Sequence, residues 1–99
     1  MTPSARLDSV LAQIDADIDQ ATARLCDLLR IPSISTDPAY ADDCLRAADW
    51  LVDDLKALGF DAARHATPGH PMVVGQMDAN DPSYKGPHLL FYGHYDVQP

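Results

Sequence analysis

Apolar residues at Leu7, Leu11, Ile14, Ile18, Ala21, Leu25 and Leu28 recur in alternating steps of four and three. That spacing draws one stripe along an α-helix, and Asp8, Asp15, Asp17 and Asp19 fall mostly off it, toward water. Ser4 is placed to cap the start. Ile31-Pro32 ends the helix, because the residue before a proline is pushed out of the helical region. The heptad-like spacing admits a coiled-coil partner, but packing against the chain's own sheet is the expectation. A second stripe, formed by Cys44, Leu45, Ala48, Leu51, Val52, Leu55 and Leu58, follows a start signal in Thr36, Asp37 and Pro38. Gly59 supplies the left-handed stop, with Phe60 folding back on the last turn.

Beyond Gly59 the period changes. "FDAARHA" and "MVVGQM" each predict a short strand, with turn chemistry in "TPGHP" between them, and "DANDPSYKGP" is a loop. "HLLFYGH", His88 to His94, is a continuous apolar run short enough to be a strand buried on both faces. Two amphipathic helices followed by strands of this kind predict an α/β fold: two N-terminal helices packed on part of a mainly parallel or mixed sheet.

Composition narrows the partners more than the fold. With 46% hydrophobic and 22% charged residues, the 99-residue chain is of ordinary globular type and sized for one small domain. Fifteen acidic residues against 7 basic ones leave a formal charge of −8, and no Lys/Arg cluster gathers phosphates locally. Nucleic acid and anionic membrane surfaces are therefore not expected partners. No stretch approaches the ~20 apolar residues of a membrane span, and the opening "MTPSARLDSVL" lacks the pattern of a secretory signal. Cys26 and Cys44 are too few and too far apart for a disulfide framework. Both fall on predicted helices, so buried thiols in a reducing cytoplasm are expected.

The candidate chemistry lies at the end of the last apolar run, in "LLFYGHYDVQP". Side chains alternate along a strand, so His94 and Asp96 project to the same side, their Cα atoms roughly 6.6–7 Å apart. A metal-ligating histidine commonly gives its other ring N–H to a carboxylate, which fixes the tautomer and raises the ligand's basicity. The H-x-D spacing can supply both groups from one strand end. Gly93, with no side chain, allows close approach to the backbone there, and strand C-terminal ends are where α/β proteins commonly place sites. His65, His70, His88 and His94 all lie near strands, but their spacings match no zinc module.

"LLFYGHYDVQP" closely resembles a signature of the dinuclear-zinc metallopeptidases, the family of carnosinase, cytosolic non-specific dipeptidase, glutamate carboxypeptidase, aminoacylase and acetylornithine deacetylase. Its "GHYDVQP" form is most similar to the dipeptidase branch. "LLRIPSIS", "AADWLVDDLKALGF" and "HPMVVGQM" resemble, in order, the segment after the family's first helix, its second helix and the next strand. The resemblance implies that His94 is a ligand to one of two zinc ions and that Asp96 is the catalytic-site carboxylate orienting it. It assigns no role to Tyr92, Tyr95 or Gln98, for which packing and loop hydrogen bonding are expected. It implies hydrolysis of peptide or amide bonds in dipeptides or short peptides, by metal-activated water with a glutamate as general base.

In the family the other metal ligands and the glutamates follow this strand. The expectation is thus that residues 1–99 are the N-terminal portion of a metallopeptidase catalytic domain, cut after the first metal-ligand strand, inactive and marginally stable alone. A small peptide substrate is the implied partner, and a homodimer through regions outside the chain is left open. Two alternatives are kept: an N-acyl amino acid deacylase of the same family, and a non-catalytic remnant serving as an interaction module through an exposed strand edge.

Overall fold

In the computed structural model, which describes residues 2–99, the chain divides into two compact units that part between Arg30 and Ile31. The first is a single helix, α1, Pro3–Leu29. Its cap is Thr2 rather than Ser4: the Thr2 hydroxyl accepts from the Ala5 amide at 3.1 Å, and Pro3 occupies the first turn, where its missing N–H costs nothing. The helix ends as the proline at position 32 requires, with the Arg30 amide closing on the Cys26 carbonyl at 3.0 Å.

The second unit begins with Ile31–Tyr40, a connecting segment closed by a short 3-10 turn over Pro38–Tyr40. Asp37 caps that turn, its carboxylate accepting from the Ala39 amide at 3.0 Å. Helix α2, Ala41–Ala57, follows directly, with Asp42 and Asp43 in its first turn and Lys56 in its last, each suited to the helix dipole. At its end the Gly59 amide donates to the Lys56 carbonyl and the Phe60 amide to the Leu55 carbonyl, both at 3.0 Å. This paired closure is the Schellman motif, and Gly59 makes it possible by adopting φ +99°.

α2 buries Cys44, Ala47, Ala48 and Val52. The expected stripe is therefore shifted: Ala47 joins it, while Leu45 and Leu58 remain 38% and 61% exposed. Leu45 stands at the margin of the buried face, 100° round from Cys44, and Leu58 is the C-cap residue beyond the last turn of α2.

Two strands, β1 (Asp61–His65) and β2 (Met72–Gln76), complete the regular structure. They pair antiparallel, Asp61 opposite Gln76 and His65 opposite Met72. The fold is mixed α/β as expected, but the strand direction differs from the parallel or mixed sheet predicted. The connection decides this, since residues 66–71 are enough for a hairpin and a parallel pair needs a crossover of about a dozen residues or more. Within the turn, Thr67 accepts from the Gly69 amide at 3.1 Å and donates to the His70 carbonyl at 2.6 Å.

The hairpin meets α2 through small residues. Ala62 is buried and sits opposite Gly75 in the ladder. A Cβ at Gly75 would stand 3.2 Å from Leu55 Cδ1 and 3.5 Å from Phe60 Cδ1. At the edge of this contact Arg64 reaches Asp49 at 3.1 Å, an exposed pair of the kind that contributes little, at most about 1 kcal/mol.

The third expected strand is absent. Residues 78–99 form no helix or strand, and Leu89, Leu90, Phe91 and Tyr92 are 71–94% exposed instead of buried. An apolar sequence alone does not make a strand; its amides and carbonyls need a ladder partner, and none of the described residues pairs with them. No described helix is long and apolar enough to cross a membrane.

Two substitutions test this packing. Gly59→Ala, which places a Cβ at positive φ, should lower stability by about 1–2 kcal/mol in denaturant unfolding. Gly75→Val should cost about 1–3 kcal/mol by overpacking against Leu55 and Phe60. Unchanged midpoints for both would contradict the described α2–hairpin contact.

Candidate metal-ligand site

The geometry around His94 is built by a segment that has no regular secondary structure, so side chains and single backbone bonds must hold it. Val97 donates its amide to the Ser33 carbonyl at 3.0 Å, and the Ser33 hydroxyl donates to the Tyr95 carbonyl at 2.8 Å. Ser33 is 1% exposed, which makes this exchange a fixed seam between residues 33–35 and 95–97. The Tyr95 hydroxyl donates to the Pro71 carbonyl at 2.7 Å, tying the same stretch to the end of the hairpin turn. Tyr95 thus performs the loop hydrogen bonding expected of it. Burial, then the nearby Cys44 and Asp96, push its pKa above the usual phenol value, so it stays a donor.

On this seam His94 and Asp96 do lie on one side. His94 Nδ1 is 2.7 Å from Asp96 Oδ1. A carboxylate only accepts, so Nδ1 carries the proton and a neutral His94 keeps its Nε2 lone pair free. The His94 side chain is 78% exposed, while that of Asp96 is 40% exposed. The second Asp96 oxygen, Oδ2, accepts from the Ser35 hydroxyl at 2.6 Å. The hydrogen bonds from Ser35 and then His94 hold the Asp96 carboxyl below its usual range.

Ser33 and Ser35 are the participants that the sequence did not single out, and His70, weighed there only as one of four histidines that could hold a metal, takes part as a hydrogen-bond donor. His70 points its Nε2–H at the Ser35 carbonyl, 2.9 Å away, and so fastens the hairpin turn to the same seam. A signal for the serines was present: "LLRIPSIS" carried part of the family resemblance, yet nothing in its spacing ties it to a motif some 60 residues on. His65 and His88 make no part of this arrangement.

A cleft of about 670 Å³ opens beside the pair, lined by Leu55, His70, Met72, Tyr92, His94 and Asp96 among others. Beneath the seam lies Cys44, fully buried, its thiol pKa raised first by burial and then by Asp96 and Asp43.

An exposed imidazole with one nitrogen committed to a carboxylate and the other free has the donor chemistry of one metal ligand. Among the described residues no group of three or more His, Cys, Asp or Glu side chains gathers to hold an ion. All fifteen acidic residues are aspartates, so the chain contributes no glutamate that could serve as a base.

Comparison with known proteins gives this geometry its family. The chain is similar to a Cys-Gly metallodipeptidase of Candida albicans, with 37% identity over 89 aligned positions covering 77% of this chain and 18% of that protein. It is 32% identical to the Cys-Gly metallodipeptidase of Saccharomyces cerevisiae over 108 aligned positions, 97% of this chain and 22% of the relative. A cysteinylglycine-S-conjugate dipeptidase of Corynebacterium striatum matches at 36% over 62 positions, 63% of this chain and 13% of the relative. By sequence the chain falls in the dipeptidase branch of the metallopeptidases. It spans about a fifth or less of the length of these curated relatives. No protein-family model matches it, and no solved structure gives a significant match.

The site geometry carries two predictions. Cys26, half-buried, should react with a thiol reagent on the order of tenfold or more faster than Cys44, which burial shields both sterically and by its raised pKa. Equal rates would refute the buried position of Cys44. Because the Asp96 pKa is lowered, its contribution to the seam is complete above the ordinary carboxylate value of about 3.9 and is lost as pH falls below that through the lowered value. Hydrogen exchange at the Val97 amide should accordingly stay slow at pH 5 and speed up in more acid solution, beyond the intrinsic pH trend. An amide already unprotected at pH 5 would contradict the seam.

Proposed function

We propose that this chain is the part of a zinc-dependent dipeptidase that carries His94 as a metal ligand and Asp96 as the carboxylate that orients it. The observation that carries the reading is the 2.7 Å contact from His94 Nδ1 to Asp96, which leaves Nε2 to face a cation. The metallodipeptidase relatives support the metal and the substrate class. When bound, zinc would supply a water of lowered pKa and polarise an amide carbonyl. His94 would hold the ion, and Asp96 would hold the imidazole in one tautomer and one orientation. The other ligands and the general base would come from sequence outside these 99 residues, since the chain spans so small a share of its relatives. Two relatives are named for Cys-Gly and one for a cysteinylglycine S-conjugate, which makes cysteinylglycine the first substrate to assay. Two free thiols fit a reducing, cytoplasmic setting.

In the protein that carries this chain, His94→Ala should abolish stoichiometric zinc binding and cysteinylglycine hydrolysis together. Asp96→Asn should weaken zinc affinity by about 10–100-fold. Chelation should remove activity and added zinc restore it. Full zinc content and full activity in His94→Ala would overturn the proposal, and hydrolysis of N-acyl amino acids in preference to dipeptides would move it to the deacylase alternative.

A further inference from the structure

We propose that Ser35 is a positioning residue for His94, acting through Asp96. The inference rests on the reading of His94 as a metal ligand. What the structure supplies is a continuous relay: the Ser35 hydroxyl donates to Asp96 Oδ2 at 2.6 Å, and Asp96 Oδ1 accepts from His94 Nδ1 at 2.7 Å. Each carboxylate oxygen is thus taken by a different donor, and the carboxylate plane is fixed between them. His94 itself is 78% exposed and makes no other hydrogen bond described here. Its orientation therefore depends on Asp96, and that of Asp96 on Ser35.

Ser35 is fixed in turn. Its own carbonyl accepts from His70 Nε2 at 2.9 Å, and His70 sits in the hairpin turn that Thr67 closes through the His70 carbonyl. Two residues earlier, Ser33 is locked to Tyr95 and Val97. Position 35 is therefore the point where the connecting segment, the hairpin turn and the H-x-D stretch converge, and it presents a hydroxyl there. A hydroxyl suits the task because it can donate to the carboxylate without bringing a charge that would compete for it. With the hydroxyl gone, Asp96 is free to turn about its terminal torsion, and His94 is released to exchange tautomers and ring orientations.

The test reads the imidazole directly, without metal or substrate. Nitrogen NMR of the metal-free protein that carries this chain, above the pH at which His94 is protonated, should show a single Nδ1–H tautomer in the wild type. Ser35→Ala should give a mixture of tautomers, and Ser35→Thr, which keeps the hydroxyl, should restore the single form. Where Ser35→Ala fails to fold, Ser35→Cys keeps the volume with a much weaker donor and should show the same loss. The single Nδ1–H tautomer persisting in Ser35→Ala, or in Ser35→Cys where the alanine variant does not fold, would overturn the inference. So would a Thr variant as mixed as the Ala variant. Failure here leaves the zinc assays on His94 standing, and failure of those assays leaves the tautomer result standing, so the two readings fall separately.

Discussion

The exchange between Ser33 and residues 95–97 is the constraint on which the site depends. From position 78 to the end of the chain no ladder or helix fixes the backbone, so nothing regular sets the direction of His94. Two bonds from one buried serine residue do it instead, one from its hydroxyl and one to its carbonyl. A buried hydroxyl with its partner in place is worth only about 1 kcal/mol net, but losing it strands the partner's polar group at a larger cost. That asymmetry makes such a seam specific even though it is small. The Tyr95 hydroxyl on Pro71 adds a third tie from a different direction, and three non-parallel ties are enough to define an orientation.

The remainder of the second unit serves that seam. The Schellman closure at Gly59 turns the chain straight from α2 into β1, and the short turn after His65 brings β2 back antiparallel. The small pair Ala62 and Gly75 lets the hairpin lie close on α2. His70 and Pro71, at the end of the turn, are thereby delivered to Ser35 and Tyr95. The hairpin thus acts as a bracket. It supplies two backbone or ring contacts to the site and contributes no candidate ligand of its own.

The helices and the two short strands were readable because their signals are local: period, cap, proline, glycine. Gly59 fell where sequence placed it, while Pro38 opens a 3-10 turn ahead of α2 instead of the first turn of α2 itself. The cap moved from Ser4 to Thr2 because both residue types satisfy the same rule and only the backbone distinguishes them. The H-x-D pairing was also readable, although the strand it was argued from is absent, since a histidine and a carboxylate two residues apart can meet without a ladder. Ser33, Ser35 and His70 were not, because their partners lie 35 to 62 residues away and a hydroxyl has no periodicity to betray it. Strand direction failed for a related reason: apolar content reports burial, whereas direction is set by the length of the connection.

Leu89–Tyr92 shows most clearly what an apolar run does and does not specify. Four successive large side chains at 71–94% exposure are costly in water, at roughly 25 cal/mol for each Å² that burial would remove from it. A run this apolar fits a strand covered on both faces, yet coverage requires neighbours that α2 and a two-stranded hairpin do not provide. The seam at 95–97 holds independently of that coverage, because its ties go to Ser33, Ser35 and Pro71 and none goes to residues 89–92. The orientation of His94 and the exposure of the apolar run preceding it are therefore separable properties, and the first is fixed by hydrogen bonds within residues 31–99.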